Sequence, residues 1–288
     1  MKTLTQHIAE RLQLNKDRVR KYEYYPKTKD EFEQIVYKIT EDHKHDKIIN
    51  LNMIDTSEIT DMSGLFAYMK HNYDISQWDV SNVTNMKGIF YQSYFNNDIS
   101  QWNVSKVKNM NIMFKFSRFN QDISDWDVSS VENMNAMFEK SEFNQDISQW
   151  DVSRVTNMAG MFFDCPFNQD ISRWDVSLVE YMTGMFARSQ FNKDISKWDV
   201  SHVENMNGMF EHSIFNQDIS LWNVSRVEDM AYMFHNSEFN QDISEWDVSN
   251  VTNMANMFQG SKFDGDLTSW ISKIKDKDAL EYIQDYIK

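Results

Sequence analysis

Two columns of carboxylates and a few histidines are the side chains with which this sequence could do chemistry. Aspartate recurs as Asp74, Asp98, Asp122, Asp146, Asp170, Asp194, Asp218, Asp242 and Asp266, always 24 residues apart. A second column reads Asp79, Asn103, Asp127, Asp151, Asp175, Asp199, Asn223 and Asp247. If successive copies stack as neighbouring strands about 4.8 Å apart, two such carboxylates repel by roughly 0.9 kcal/mol in water. Hydrogen bonds, cations or raised pKa values must offset this, and a ladder of calcium ions is one solution. Asn103 and Asn223 argue against it, because Asn keeps the acceptor and loses the charge. The position therefore needs an acceptor for a local backbone N–H.

The remaining reactive types form no constellation. His43 and His45 lack partners, and His212 and His235, on neighbouring surface positions one copy apart, read as a chance pair. Cys165 stands in a column otherwise filled by serines such as Ser141 and Ser189, and reads as a small packed residue. No histidine beside it would activate a thiolate. Sixteen of the 19 methionines share two columns at core spacing, so they are not a cofactor box. No glycine-rich phosphate loop, nucleophile elbow or HExxH is present. The expectation is no catalytic residue, no cofactor and no metal.

The columns are held in register by an internal repeat. All nine tryptophans, Trp78 to Trp270, fall 24 residues apart without insertion or deletion. Val80, Val83, Met86, Phe90, Phe95 and Ile99 each begin a column of the same period, and a degenerate copy runs from Ile54 to Gln77. The segment I-S-x-W-D-V spaces Trp and Val two apart, which predicts a strand. The segment S-x-V-x-x-M-x-x-M-F predicts a short helix, opened by S-x-x-E capping boxes such as Ser129 with Glu132 and Ser177 with Glu180. One strand and one helix per copy, stacked on a common core, make an α/β solenoid of leucine-rich-repeat type. Residues 1–53 read as an N-terminal helical cap with helices over 5–14 and 30–42, residues 54–269 as nine repeats, and residues 270–288 as a C-terminal capping helix.

The words FNQDISxWDVSxVxNMxxMFxxS resemble the BspA-like leucine-rich repeats of bacterial surface proteins and lipoproteins, over residues 54 to about 270. That resemblance implies a right-handed superhelix whose concave parallel sheet binds other macromolecules, and it implies no enzyme. The chain departs from the surface-protein pattern, since no signal peptide, lipidation cysteine or membrane span is visible. A cytoplasmic location is expected, with the cell surface as the alternative that the resemblance suggests.

The net charge of −15 divides unevenly: residues 1–53 carry 11 Lys/Arg against 9 Asp/Glu, or +2, leaving −17 for the rest. Nine copies at about 4.8 Å would spread that −17 at about 0.4 charges per Å, against roughly 0.6 for duplex DNA. An acidic decoy for a nucleic-acid-binding protein is thus one reading, and an adhesin another. KDRVRKYEYYPKTK mixes basic and aromatic residues without a recognised motif, so no nucleic acid is expected as a partner. The leading expectation is a monomeric, non-enzymatic scaffold for another protein. Its contact surface lies where columns vary: Gln77, Gln101, Asp125 and Gln149 give way to Arg173, Lys197 and Leu221, while Leu178 and Tyr181 break their own columns nearby. This sets a cationic and apolar patch in an acidic wall.

Overall fold

The structure, a computed structural model, describes residues 22–288. The helix expected over 5–14 lies outside the described residues, as does the start of the basic–aromatic stretch.

The 24-residue unit is one coil of a solenoid, and the coil is made of turns rather than of a strand and a helix. The helical reading rested on apolar residues three apart. Three apart is also the span of a β-turn, whose first and fourth residues lie close together while the middle two face water. The bonds follow that pattern: Trp126 N–H donates to Ile123 C=O, Val131 to Val128, Met137 to Met134 and Ser141 to Phe138, at 2.9–3.2 Å. The capping-box residues Ser129 and Glu132 open no helix. Ser129 sits at a turn corner, and Glu132 N–H donates to Lys108 C=O of the preceding coil at 2.9 Å.

Alternate amides reach the neighbouring coil. Met110, Ile112, Phe114 and Phe116 donate to Asn133, Asn135, Met137 and Glu139 at 2.8–2.9 Å, while the residues between them close turns within the coil. This alternation needs a positive φ at every fourth residue, at Ile112 (51°) and Phe116 (57°) and at their equivalents. Such turns carry a left-handed residue at their third position, where glycine is easiest, and Gly88, Gly160, Gly184 and Gly208 take it. The predicted strands are absent for a related reason: corners come too often for an extended run. Parallel pairing shrinks to single bridges linking Asp61, Asn85, Asn109 and onward to Asn253. Among the described residues one two-stranded parallel sheet forms, β1 (Ile48–Asn50) with β2 (Asn72–Asp74). Tyr24 also forms a parallel bridge with Ile54, so both the start of the described chain and Ile48–Asn50 of segment 1–53 already belong to the stack.

The core is one continuous column of buried side chains from Phe32 to Ile283. The Phe66-to-Phe258 ladder stacks at 5.5–5.9 Å between ring centroids, nearly parallel. A second ladder, Phe95 to Phe263, lies beside it at 6.2–6.4 Å per step. Contacts of this kind add about 0.5–1.5 kcal/mol each beyond area burial. Every tryptophan indole N–H donates to the Ile or Leu carbonyl 27 residues earlier, at 3.0–3.3 Å. A third ladder is polar. Asn96 N–H donates to Asn72 Oδ1, and so on to Asp264 on Asn240, at 2.8–3.2 Å.

Both described ends of the stack are covered. Helix α1 (Lys29–Asp42) is capped by Thr28, whose hydroxyl accepts Glu31 N–H, and it lays Phe32 against Trp78 at 5.2 Å. At the other end Trp270 enters a 3₁₀ turn and helix α2 (Lys277–Ile287) follows, capped by Asp276. Each earlier residue of the Phe90 column donates its N–H to the next coil. Phe258 has no next coil, and Tyr282 Oη accepts that bond at 3.0 Å instead.

Candidate functional site

Between Ile and Trp of each coil lies a two-residue corner, and its second residue is the variable one. Arg173, Lys197 and Leu221 occupy that corner on three successive coils, all exposed. Leu221 is 85% exposed, the most exposed large apolar side chain among the described residues. Leu178 and Tyr181 are also out in solvent, at 50% and 40%. They stand on the next turn and at the bridge position of Arg173's own coil, and not on the corner itself. The structure thus aligns the first three and sets the other two beside that line. The concave sheet on which the patch was expected does not form; a row of turn corners takes its place.

Aspartates frame this row. Asp98 Oδ1 accepts Ser100 N–H, and each member from Asp74 to Asp266 repeats the bond at 2.8–3.2 Å. In the second column Asp151 accepts Ser153 N–H at 3.1 Å, and Asn103 and Asn223 accept theirs at 3.2 Å. The repulsion argued from stacking is real but loses. For Asp218 the bonds from Ser220 pull the carboxyl below its ordinary value, although Asp194 and Asp242 push it up. Asp170 and Asp194 are lowered chiefly by Ser172 and Ser196, with smaller help from Arg173 and Lys197. Arg173 leans into a groove of about 350 Å³ with Asp146, Gln149 and Asp170. Beyond Leu221 a groove of about 420 Å³ is lined by Asp242, Glu245, Asp264 and Asp266 with no Lys or Arg.

Cys165 is 2% exposed, its thiol donates to Phe143 C=O at 3.3 Å, and burial pushes its pKa up to about 11. On the opposite columns, His212 and His235 approach with ring centroids 5.3 Å apart. Glu211 joins them, which the sequence reading missed. The signal was available, since Glu211 and His235 share a column one coil apart.

Residues 31–142, 116–214 and 187–283 each match the model of a family described as Mycoplasma protein of unknown function, DUF285. The chain belongs to that family. Each DUF285 match contains three complete 24-residue copies and overlaps the next match, so the family model reads the same stack of coils. Comparison with curated proteins returned no match, nor did comparison with solved structures. No helix among the described residues of this DUF285 chain is long and apolar enough to cross a membrane.

Proposed function

We propose that this DUF285 chain is a non-enzymatic scaffold that holds another protein along the corner row of Arg173, Lys197 and Leu221. The observation that carries the reading is Leu221. A leucine 85% exposed in a row otherwise polar or charged, next to two cations, offers an apolar anchor with oriented charge. Leu178 and Tyr181 fall within the same footprint, since a partner of ordinary size covers about 800 Å². The fitting partner has an apolar pocket flanked by carboxylates. We further assign the repeat to the BspA-like class with a right-handed coil, on the strength of its repeated words. The location we assign is a reducing one, the cytoplasm, and the working form is a monomer.

The test begins with capture from the native host and identification by mass spectrometry. Leu221→Glu and the pair Arg173→Glu with Lys197→Glu are then compared in binding the captured partner. The scaffold reading expects both to abolish binding with the fold intact, and wild-type binding to fall only gently with salt. The alternative, an acidic decoy, has the unbroken aspartate column in its favour. It expects the charge reversals to tighten binding and salt to weaken it steeply. That outcome would move the functional surface to the aspartate wall.

A further inference from the structure

We propose that Glu211, His212 and His235 together hold one divalent transition-metal ion of the zinc class, bridging two successive coils. The repeat brings them together. Glu211 and His235 hold the same place on neighbouring coils, and that place makes contacts elsewhere: Lys115 Nζ lies 2.7 Å from Glu139 Oε2. His212 follows Glu211 at a φ of 53°, a left-handed conformation in which histidine is enriched. Its own N–H donates to His235 C=O at 2.8 Å, which ties the two histidine backbones together.

The donor atoms converge. Glu211 Oε1 lies 3.6 Å from His212 Nε2 and 3.5 Å from His235 Nδ1, and one ligand atom from each residue fits within a 4.8 Å cluster. Around tetrahedral zinc, with bonds of roughly 2.0–2.1 Å, ligand atoms stand about 3.3 Å apart. Both glutamate–imidazole separations are therefore close to that before any ion is added. Two imidazoles and one carboxylate suit zinc, cobalt or nickel, and a water completes the fourth position. Calcium and magnesium, which want six or more oxygens, are poorly served.

The surroundings help to orient the rings. Tyr232 packs edge-on to His235 with centroids 5.5 Å apart. The Asn236 carboxamide lies 3.1 Å from His235 Nε2 and 3.4 Å from His212 Nε2. It also lies 3.4 Å from His235 Nδ1, so the carboxamide sits against both ligand nitrogens and closes one side of the cluster. The net charge of −15 raises the local concentration of any cation. Among the described residues no other group of three His, Cys, Asp or Glu side chains converges in this way.

The experiment uses the full chain free of any polyhistidine tag. Cobalt is followed by visible absorption, zinc by calorimetry, and both by thermal melting. Three substitutions borrow residues that other coils already use at the same places: Glu211→Ala (as Ala187), His212→Asn (as Asn236) and His235→Gln (as Gln259). Wild type is expected to bind one zinc ion, to show a tetrahedral cobalt spectrum and to melt higher with zinc, as a ligand of the folded state requires. Each substitution is expected to abolish all three signals while leaving metal-free melting unchanged. His43→Asn is expected to leave binding intact. Saturable one-to-one binding that survives both His212→Asn and His235→Gln overturns the proposal, as does a wild type without a cobalt spectrum.

Discussion

At the scale of the residue, one bond type recurs: a short side chain folds back on the amide two places ahead. Asp151 accepts from Ser153, Asn109 from Asn111, Asp242 from Ser244. This explains why Asn replaces Asp at 103 and 223, and it makes a pH prediction. Asp122, Asp151, Asp170, Asp194, Asp199, Asp218 and Asp242 are held below the ordinary 3.8 by these bonds with serine. A lowered folded pKa means stability that is complete above the unfolded value and lost as pH falls through the folded one. Melting should therefore be flat from neutral pH down to about 5 and drop below 4. Asp151→Asn should keep the neutral melting temperature and soften the acid drop; a melting temperature at pH 7 lowered by several degrees would mean that the charge itself is required. Millimolar calcium should leave the melt unchanged.

At the scale of the element, sequence and structure part company in an instructive way. The columns, their period and their burial were legible, because a Trp or Phe repeated without slippage has only a core to occupy. The local conformation was not. Met134 and Met137 fit one face of a helix and equally the two ends of a turn. The discriminating signal is the left-handed residue between them, Ala136 here and glycine in other coils, and a non-glycine residue there hides the requirement. The patch suffered from the same error: Arg173, Lys197 and Leu221 align because the period aligns them, whatever the backbone does. The turns make their own prediction. Arg188 sits at φ 56° and is exposed, so Arg188→Gly should stabilise by about 1 kcal/mol. Gly260→Ala should destabilise, since φ is +70° and Asn236 Oδ1 occupies the space a Cβ would need. Urea unfolding of both variants checks the pair; equal midpoints would refute the turn assignment.

At the scale of the molecule, contacts run between neighbouring coils and the caps touch only the terminal ones. Stability is then close to a sum of coils and interfaces. Deleting residues 143–166 joins Glu142 to Phe167 and restores every column in phase. The shortened chain should fold, melt cooperatively at a lower temperature, and scatter as a shorter rod. A deletion out of phase, such as 143–160, should leave an insoluble or unfolded product. Both lengths that fold should be monomers, because α1 and α2 cover the apolar ends.

The direction of the tryptophan bonds bears on how the chain is made. Each indole reaches back to a carbonyl laid down 27 residues earlier, and each asparagine amide reaches back 24. During synthesis every new coil therefore meets a finished template on the side away from the ribosome. At 5–20 residues per second a coil takes about 1–5 s to emerge, far longer than a turn takes to close. The growing tip is the one apolar face left open, and the coil still to be translated is what shuts it.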